Sequence, residues 1–300
     1  MNFTVEVRSG FCNTLKALAS ALSIGEHVNI LPLQQAWWPD GANWSLLLDN
    51  DLICDSIQPG YEPYISARWL ILKTEEHLQQ TIESDTNAWG RTPEPIPGHA
   101  GAHLGINITN ANLLHLFSDH LIDWTFDRSL ICDEVFNRIQ QGILKVKWNN
   151  TIMNEFNRIK TKLGLDENSS LLTIQIRTWQ SHNAGDVPNL LEINDGAVRK
   201  YSFDLYKNEI DKLLHKASTV FITIDREDML PQYVDYIRSH NVNVVTYCQS
   251  DSPDMTTLQH SAITVLLGAL SKYLVCSRLS TFAECMWWFG KCEAEVCPVG

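Results

Sequence analysis

Leu171-Leu-Thr-Ile-Gln-Ile-Arg177-Thr178 is the stretch that decides how this chain is read. A run of apolar, β-prone residues with little alternation describes a strand covered on both faces, as in a parallel sheet flanked by helices. It ends in an arginine, which puts a permanent cation at the carboxyl edge of that sheet, where ligands of open α/β sheets bind. A planar guanidinium there suits a phosphate, gripped by two parallel hydrogen bonds. The other reading is an arginine whose stem covers apolar surface or whose head pairs with a nearby carboxylate.

The pattern C-terminal to this stretch is regular. A loop runs to about Lys200, followed by a helix over Phe203–His215 and a strand over Val220–Ile224. Then come a helix over Met229–His240, a strand over Val242–Tyr247, a helix over Thr257–Leu270 and a strand over Tyr273–Cys276. A helix over Thr281–Gly290 and a short strand over Glu293–Cys297 close the chain. Strict alternation of strand and helix predicts a doubly wound parallel sheet.

The N-terminal part opens with a strand near Phe3–Val7, a turn through Gly10, a helix over Asn13–Ser23 and a strand over His27–Leu31, which together make a βαβ unit. Short strands are expected at Leu52–Cys54 and Ile65–Leu72, and helices at Asn110–His120, Ser129–Leu144 and Asn150–Leu163. Residues 87–105, with four glycines and three prolines, read as a long loop. The boundary falls between 145 and 168, giving an N-terminal α/β domain of 1–155 and a C-terminal Rossmann-like domain of 156–300, with a cleft between them.

Composition narrows the function. The chain has 300 residues, 44% of them apolar, and a net charge of −12. That balance argues against a general affinity for nucleic acid or anionic membrane, which needs clustered Lys and Arg. No apolar run reaches the ~18–20 residues of a membrane span, and Met1–Arg8 lacks the basic start and apolar core of a signal peptide. A soluble, cytoplasmic protein is the expectation, and the five Asn-x-Ser/Thr sequons, such as Asn43-Trp-Ser45, are read as chance matches. The eight cysteines form no C-x-x-C pair, so neither a zinc site nor a disulfide framework is expected.

If the C-terminal sheet is parallel, four strand ends converge. They carry Arg177, then Asp225 of Phe221-Ile-Thr-Ile-Asp225, then Tyr247-Cys-Gln-Ser250, then Ser277 with Ser280 and Thr281 opening the next helix. A helix start offers unpaired N–H groups and a positive dipole end, so Ser280 and Thr281 can cap the helix and bind phosphate.

Three blocks carry a resemblance. Gly10-Phe-Cys-Asn13-Thr-Leu-Lys-Ala-Leu18 is similar to a G-x-G-N-x-L-x-A-L loop and helix, and Ile174-Gln-Ile-Arg177 with Phe221–Asp225 to an H-x-R block and an A-T-D strand. Leu270-Ser-Lys-Tyr-Leu-Val-Cys-Ser277-Arg-Leu-Ser280-Thr-Phe-Ala-Glu284 is similar to L-S-x-x-x-x-L-[IV]-x-S-x-x-S-[ST]-F-[SA]-E, the most specific of the three. In this order the blocks resemble the fucosyltransferase superfamily of α1,6-fucosyltransferases, nodulation fucosyltransferases and protein O-fucosyltransferases. The resemblance implies a GT-B architecture, GDP-fucose as donor held by the C-terminal domain, an acceptor on the N-terminal domain, and no required metal or other cofactor. By position it implies that Gly10, Asn13, Gln175, Arg177, Asp225, Ser277, Ser280, Thr281 and Phe282 make the donor side, with Arg177 on the diphosphate and Asp225 near the ribose or base.

The chain departs from the pattern at Gln175, where the family has histidine, and at Thr178-Trp179, where a second basic residue is common. An inverting transfer wants a base near the acceptor hydroxyl. The loop after Arg177 offers His182, Asp186 and Glu192, of which Asp186 is the first choice. Trp37, Trp38 and Trp44, three of ten tryptophans, either line an acceptor site or pack in a core, whereas Trp287 and Trp288 on the last helix read as core.

Other classes fit less well. There is no G-x-x-x-x-G-K-[ST] loop for a P-loop kinase or sulfotransferase and no G-x-G-x-x-G for a dehydrogenase. A catalytically degenerate relative that binds a glycan or a partner protein is the alternative that the departures leave open.

Overall fold

The computed structural model describes residues 2–6, 10–31, 43–56, 58–64, 126–165, 169–178, 192–194, 197–199, 202–278 and 280–299. These divide into two compact units: Met1–Thr151 with Thr257–Gln259, and Ile152–Thr256 with His260–Gly300. The expected strand at Ile65–Leu72, the loop at 87–105 and the helix at Asn110–His120 lie outside the described residues.

The first unit is built on strand β1 (Asn2–Glu6), helix α1 (Phe11–Ile24) and strands β2 (His27–Leu31) and β3 (Tyr61–Tyr64). The strands form a parallel sheet in the order β2-β1-β3. Phe3 and Val5 of β1 are fully buried, as are Leu15, Leu18, Ala19 and Ala21 of α1. Gly25 ends α1 so tightly that a Cβ there would stand 2.6 Å from Val28 Cγ2. Helix α2 (Asp133–Leu144) crosses α1 at backbone contact, since a Cβ on Gly142 would stand 2.0 Å from the Ala19 carbonyl oxygen.

Two expectations are corrected in this unit. Leu52–Cys54 is not a strand: residues Asn50–Leu52 make a 3₁₀ turn, and pairing is limited to an isolated Ile30–Ile53 bridge. The helix expected from Ser129 starts at Asp133. Arg128–Leu130 forms a separate 3₁₀ turn, because the Asp127 carboxylate accepts the Ser129 N–H at 2.9 Å and Cys132 enters α2 in extended conformation.

Helix α3 (Asn150–Lys162) leads into the second unit. Its sheet contains β4 (Leu171–Ile176), β7 (Thr219–Ile224), β8 (Asn243–Thr246), β9 (Tyr273–Ser277) and β10 (Glu295–Val299). All pairs are parallel and the order is β10-β9-β4-β7-β8. Every residue of β4 is buried, its four apolar residues together with Thr173 and Gln175, as a strand covered on both faces requires. Helices α4 (Phe203–Leu214) and α5 (Leu230–Arg238) share one core with Leu172, Ile174, Ile176, Val220, Ile222 and Val275. Helices α6 (Thr257–Gly268) and α7 (Thr281–Phe289) meet at Gly268, where a Cβ would lie 2.5 Å from Met286 Sδ.

The loop after β4 contains a two-stranded antiparallel ribbon, β5 (Glu192–Asn194) with β6 (Ala197–Arg199), which was expected to be plain loop. The last strand sits two residues later than its pattern suggested, because Lys291 and Cys292 take positive φ (58° and 56°) and Cys292 N–H bonds back to the Trp287 carbonyl at 2.8 Å to close α7. Trp287 and Trp288 are buried as expected. All eight cysteines are free thiols.

Candidate functional site

The strand order locates the site. The chain leaves β4 for β7 and β8 on one side, then returns to the other side of β4 to lay down β9 and β10. The carboxyl ends of β4 and β9 therefore flank the topological switch point, where the connections diverge and a crevice opens. Arg177 follows β4 directly. Ser277 ends β9, and Ser280 caps α7 three residues later.

Arg177 stands at this edge with 27% of its side chain exposed, and its Nη1 lies 3.3 Å from Asp225 Oδ2. Asp225, at the end of β7, is also engaged by the backbone: the Thr178 N–H donates to its Oδ1 at 3.0 Å and its Oδ2 at 3.1 Å. Expected near a ribose or base, Asp225 here holds the turn after β4 and the guanidinium beside it. The arginine is thus neither buried in a structural pair nor solitary.

Helix α7 contributes the second element. Ser280 caps it, accepting the Ala283 N–H at 3.4 Å, while Glu284 N–H bonds the Ser280 carbonyl at 3.0 Å. Among the described residues, the N–H groups of Thr281 and Phe282, at the first two helical positions, make no hydrogen bond. Both residues are half-buried. A helix start that opens three residues after the strand end meeting the Arg177 backbone offers, together with a strand-end guanidinium, donors for an anion with more than one charged oxygen.

Ser277 does something other than expected. It is 1% exposed, and its Oγ accepts the Arg177 N–H at 2.7 Å and hydrogen-bonds the Tyr206 hydroxyl. Its hydroxyl braces the strand end and does not present itself to a ligand. Tyr206, on α4, was not singled out from the sequence. The signal available was an aromatic with a hydroxyl on an otherwise apolar helix face, since a buried tyrosine oxygen needs a partner.

Gln175 is 4% exposed, and its Oε1 has no hydrogen-bond partner. It pairs in register with Thr223 of β7 and Cys276 of β9, on the same strand face as Arg177 two residues on. The end of β8, which was expected to converge here, is committed elsewhere. The Tyr247 ring stacks on His260 with centroids 4.7 Å apart, its hydroxyl donates to Ser252 Oγ at 3.1 Å, and burial pushes its phenol up to about 12.

In the first unit, Gly10 precedes α1 and its carbonyl accepts the Thr14 N–H at 3.1 Å. Asn13, in the first turn of α1, keeps a buried Oδ1 without a partner. Trp44 is fully buried, with its ring stacked on Phe11 at 5.6 Å, so it is a core residue and not an acceptor platform. Trp37, Trp38, His182 and Asp186 lie outside the described residues, and of Glu192 only the backbone is described, in β5. Among the described residues no group of three His, Cys, Asp or Glu side chains is placed to hold a metal ion. No described helix is long and apolar enough to cross a membrane.

A parallel sheet of this order, with a cation and a helix start at its switch point, is an open α/β arrangement of the kind that binds ligands at that edge. Solved structures match the chain at that level. The NodZ α1,6-fucosyltransferase soaked with GDP-fucose superposes with a TM-score of 0.51 at 12% identity, covering 96% of this chain and 92% of that one. The fold of the chain is therefore that of the GT-B fucosyltransferases. NodZ from Bradyrhizobium gives a TM-score of 0.48 at 12% identity over 95% and 90% of the two chains. POFUT1 in complex with GDP-fucose gives 0.49 at 9% identity over 100% and 97%. No family model and no curated protein sequence matches the chain.

Proposed function

We propose that the chain is a glycosyltransferase that moves a sugar, L-fucose from GDP-fucose, to a hydroxyl of a glycan or glycoconjugate, with inversion and without a metal ion. One observation carries the reading: Arg177 and the unengaged N–H groups of Thr281 and Phe282 stand at the β4/β9 switch point of a sheet whose fold is shared with fucosyltransferases.

The chemistry follows from that placement. As the bond between the sugar and the diphosphate breaks, negative charge gathers on the leaving phosphate. The Arg177 guanidinium and the two helix-start N–H groups are fixed donors that meet this charge without rearranging, which favours the transition state over the ground state. In this reading they supply the charge neutralisation that a divalent cation gives other transferases. Asp225 holds the guanidinium in place, and Asp186, on the loop after Arg177, takes the acceptor proton. Gln175 offers an amide to the donor, and Gly10 and Asn13 shape the other lobe's contribution. Trp37 and Trp38 supply sugar-stacking faces. A cytoplasmic setting, with no membrane span and no nucleic-acid partner, completes the proposal.

The test is a panel of GDP-, UDP- and dTDP-sugars, read first by thermal shift and then by hydrolysis of each stabilising sugar nucleotide without acceptor. Stabilisation and slow hydrolysis specific to GDP-fucose are expected. Stabilisation without turnover under any acceptor would favour a binding protein, for which Gln175 in place of histidine is the observation in hand. No response to any nucleotide would end the reading.

A further inference from the structure

β4 and β9 are paired only as far as Gln175 and Cys276, after which they part. Beyond that point the Arg177 backbone is met by side chains. Two hydroxyls reach it. The Arg177 N–H donates to Ser277 Oγ at 2.7 Å and reaches the Tyr206 oxygen at 3.4 Å. Ser277 Oγ lies 3.4 Å from the Arg177 carbonyl, and the Tyr206 hydroxyl 3.5 Å from that of Gln175. The two hydroxyls also bond each other.

Tyr206 projects from the first turn and a half of α4, fully buried, its ring edge-on to Tyr233 at 6.0 Å. Burial drives its phenol far above the ordinary range, so the oxygen stays a neutral group that both donates and accepts. A single rigid side chain, with only two rotatable torsions before its oxygen, thus ties α4 to the point where the sheet opens.

We propose that Tyr206, acting with Ser277, is a positioning residue that fixes the strand end carrying Arg177, so that the guanidinium is held ready for the two phosphates of a nucleoside diphosphate. Tyr206 touches no ligand itself. The proposal rests on the reading of Arg177 as a diphosphate-gripping residue. It goes beyond that reading by naming what sets the arginine's position, and by tying diphosphate affinity to a hydroxyl in the core.

Tyr206→Phe keeps the ring and removes only the oxygen. Two measurements decide the case. The first is backbone amide exchange at Arg177 and Thr178, with Leu172 and Ile174 inside β4 as controls. The second is calorimetric affinity for GDP and inorganic pyrophosphate, with guanosine as the ligand that lacks phosphate. The expected result is roughly tenfold faster exchange at Arg177 and Thr178 alone, about tenfold weaker GDP and pyrophosphate binding, and unchanged guanosine binding.

Faster exchange spread evenly over β4, or a loose strand end with diphosphate affinity intact, would reduce Tyr206 to a packing residue and overturn the proposal. A wild-type protein that binds neither GDP nor pyrophosphate removes the functional reading and the diphosphate half of the proposal. In that event the exchange comparison still decides whether Tyr206 holds the strand end. Should Tyr206→Phe not fold, Ser277→Ala removes the other hydroxyl and is read in the same way.

Discussion

Both oxygens of Asp225 accept the same N–H, that of Thr178, at 3.0 and 3.1 Å, and one of them, Oδ2, also meets the Arg177 guanidinium at 3.3 Å. One side chain therefore fixes two consecutive residues, the cation and the turn that follows it. Asp225→Asn leaves an acceptor for Thr178 but removes the charge. We expect it to lower stability by about 1 kcal/mol, and Asp225→Ala to lower it by about 2–3 kcal/mol, because the alanine strands the N–H as well. Urea denaturation of both variants checks the order. Equal losses would show that the charge, and not the acceptor, matters.

Arg177→Ala is expected to fold with near wild-type stability, since its side chain is partly exposed and one of its contacts is a single 3.3 Å pair. Transfer should fall by roughly 10²–10³-fold, the loss typical of removing one fixed donor from a developing oxyanion. Arg177→Lys should recover little, because an ammonium cannot reproduce the planar fork. Steady-state rates with GDP-fucose measure both. A lysine variant as active as the wild type would reduce the arginine's role to simple charge.

The Trp44 ring is wholly inside the first unit, against Phe11. Trp44→Ala should cost about 3–5 kcal/mol through the cavity it leaves. Trp44→Phe should cost clearly less, because it keeps most of the packing and removes an indole N–H that has no partner. Chemical denaturation is again the measurement. Alanine and phenylalanine variants of equal stability would place the ring outside the core.

Acid should weaken the second unit through Glu155. The hydrogen bond from Arg158 holds this carboxylate below the ordinary glutamate value of 4.5, and a Ser252 hydroxyl adds to it. A depressed folded-state value gives stability that is present above 4.5 and is lost as pH falls through the folded value. The wild type should therefore lose more thermal stability between about pH 5 and pH 3 than Glu155→Gln does. Parallel pH profiles for the two proteins would mean that the pair contributes nothing.

How much of this was open to sequence reading depends on what each signal reports. Alternating strands and helices from Leu171 onward gave the second unit's elements nearly intact, because the central strand β4 is buried on both faces and the strands are bounded by helices with their own periodicity. Strand order is different information. Nothing local says that β9 returns beside β4, and it is that return which makes the Arg177 edge a switch point. Ser277 was misjudged for a reason the two-residue period contains: it shares a face with Val275, which packs in the α4 core, so its hydroxyl turns inward to Tyr206. The Leu52–Cys54 run failed as a strand because three apolar residues carry no information about whether a neighbour is there to pair with. Trp44 was left open because an indole reads equally as core or platform until its surroundings are known.

The bond between Arg177 and Ser277 joins positions a hundred residues apart in the chain. During synthesis the arginine is made long before the serine that steadies it, so a nascent chain carries the cation without the arrangement that gives it a purpose. Competence to hold a diphosphate should arrive late and all at once, when β9 slots in beside β4. A chain halted before Tyr273 would possess every earlier strand of this sheet and still lack the serine that steadies its arginine.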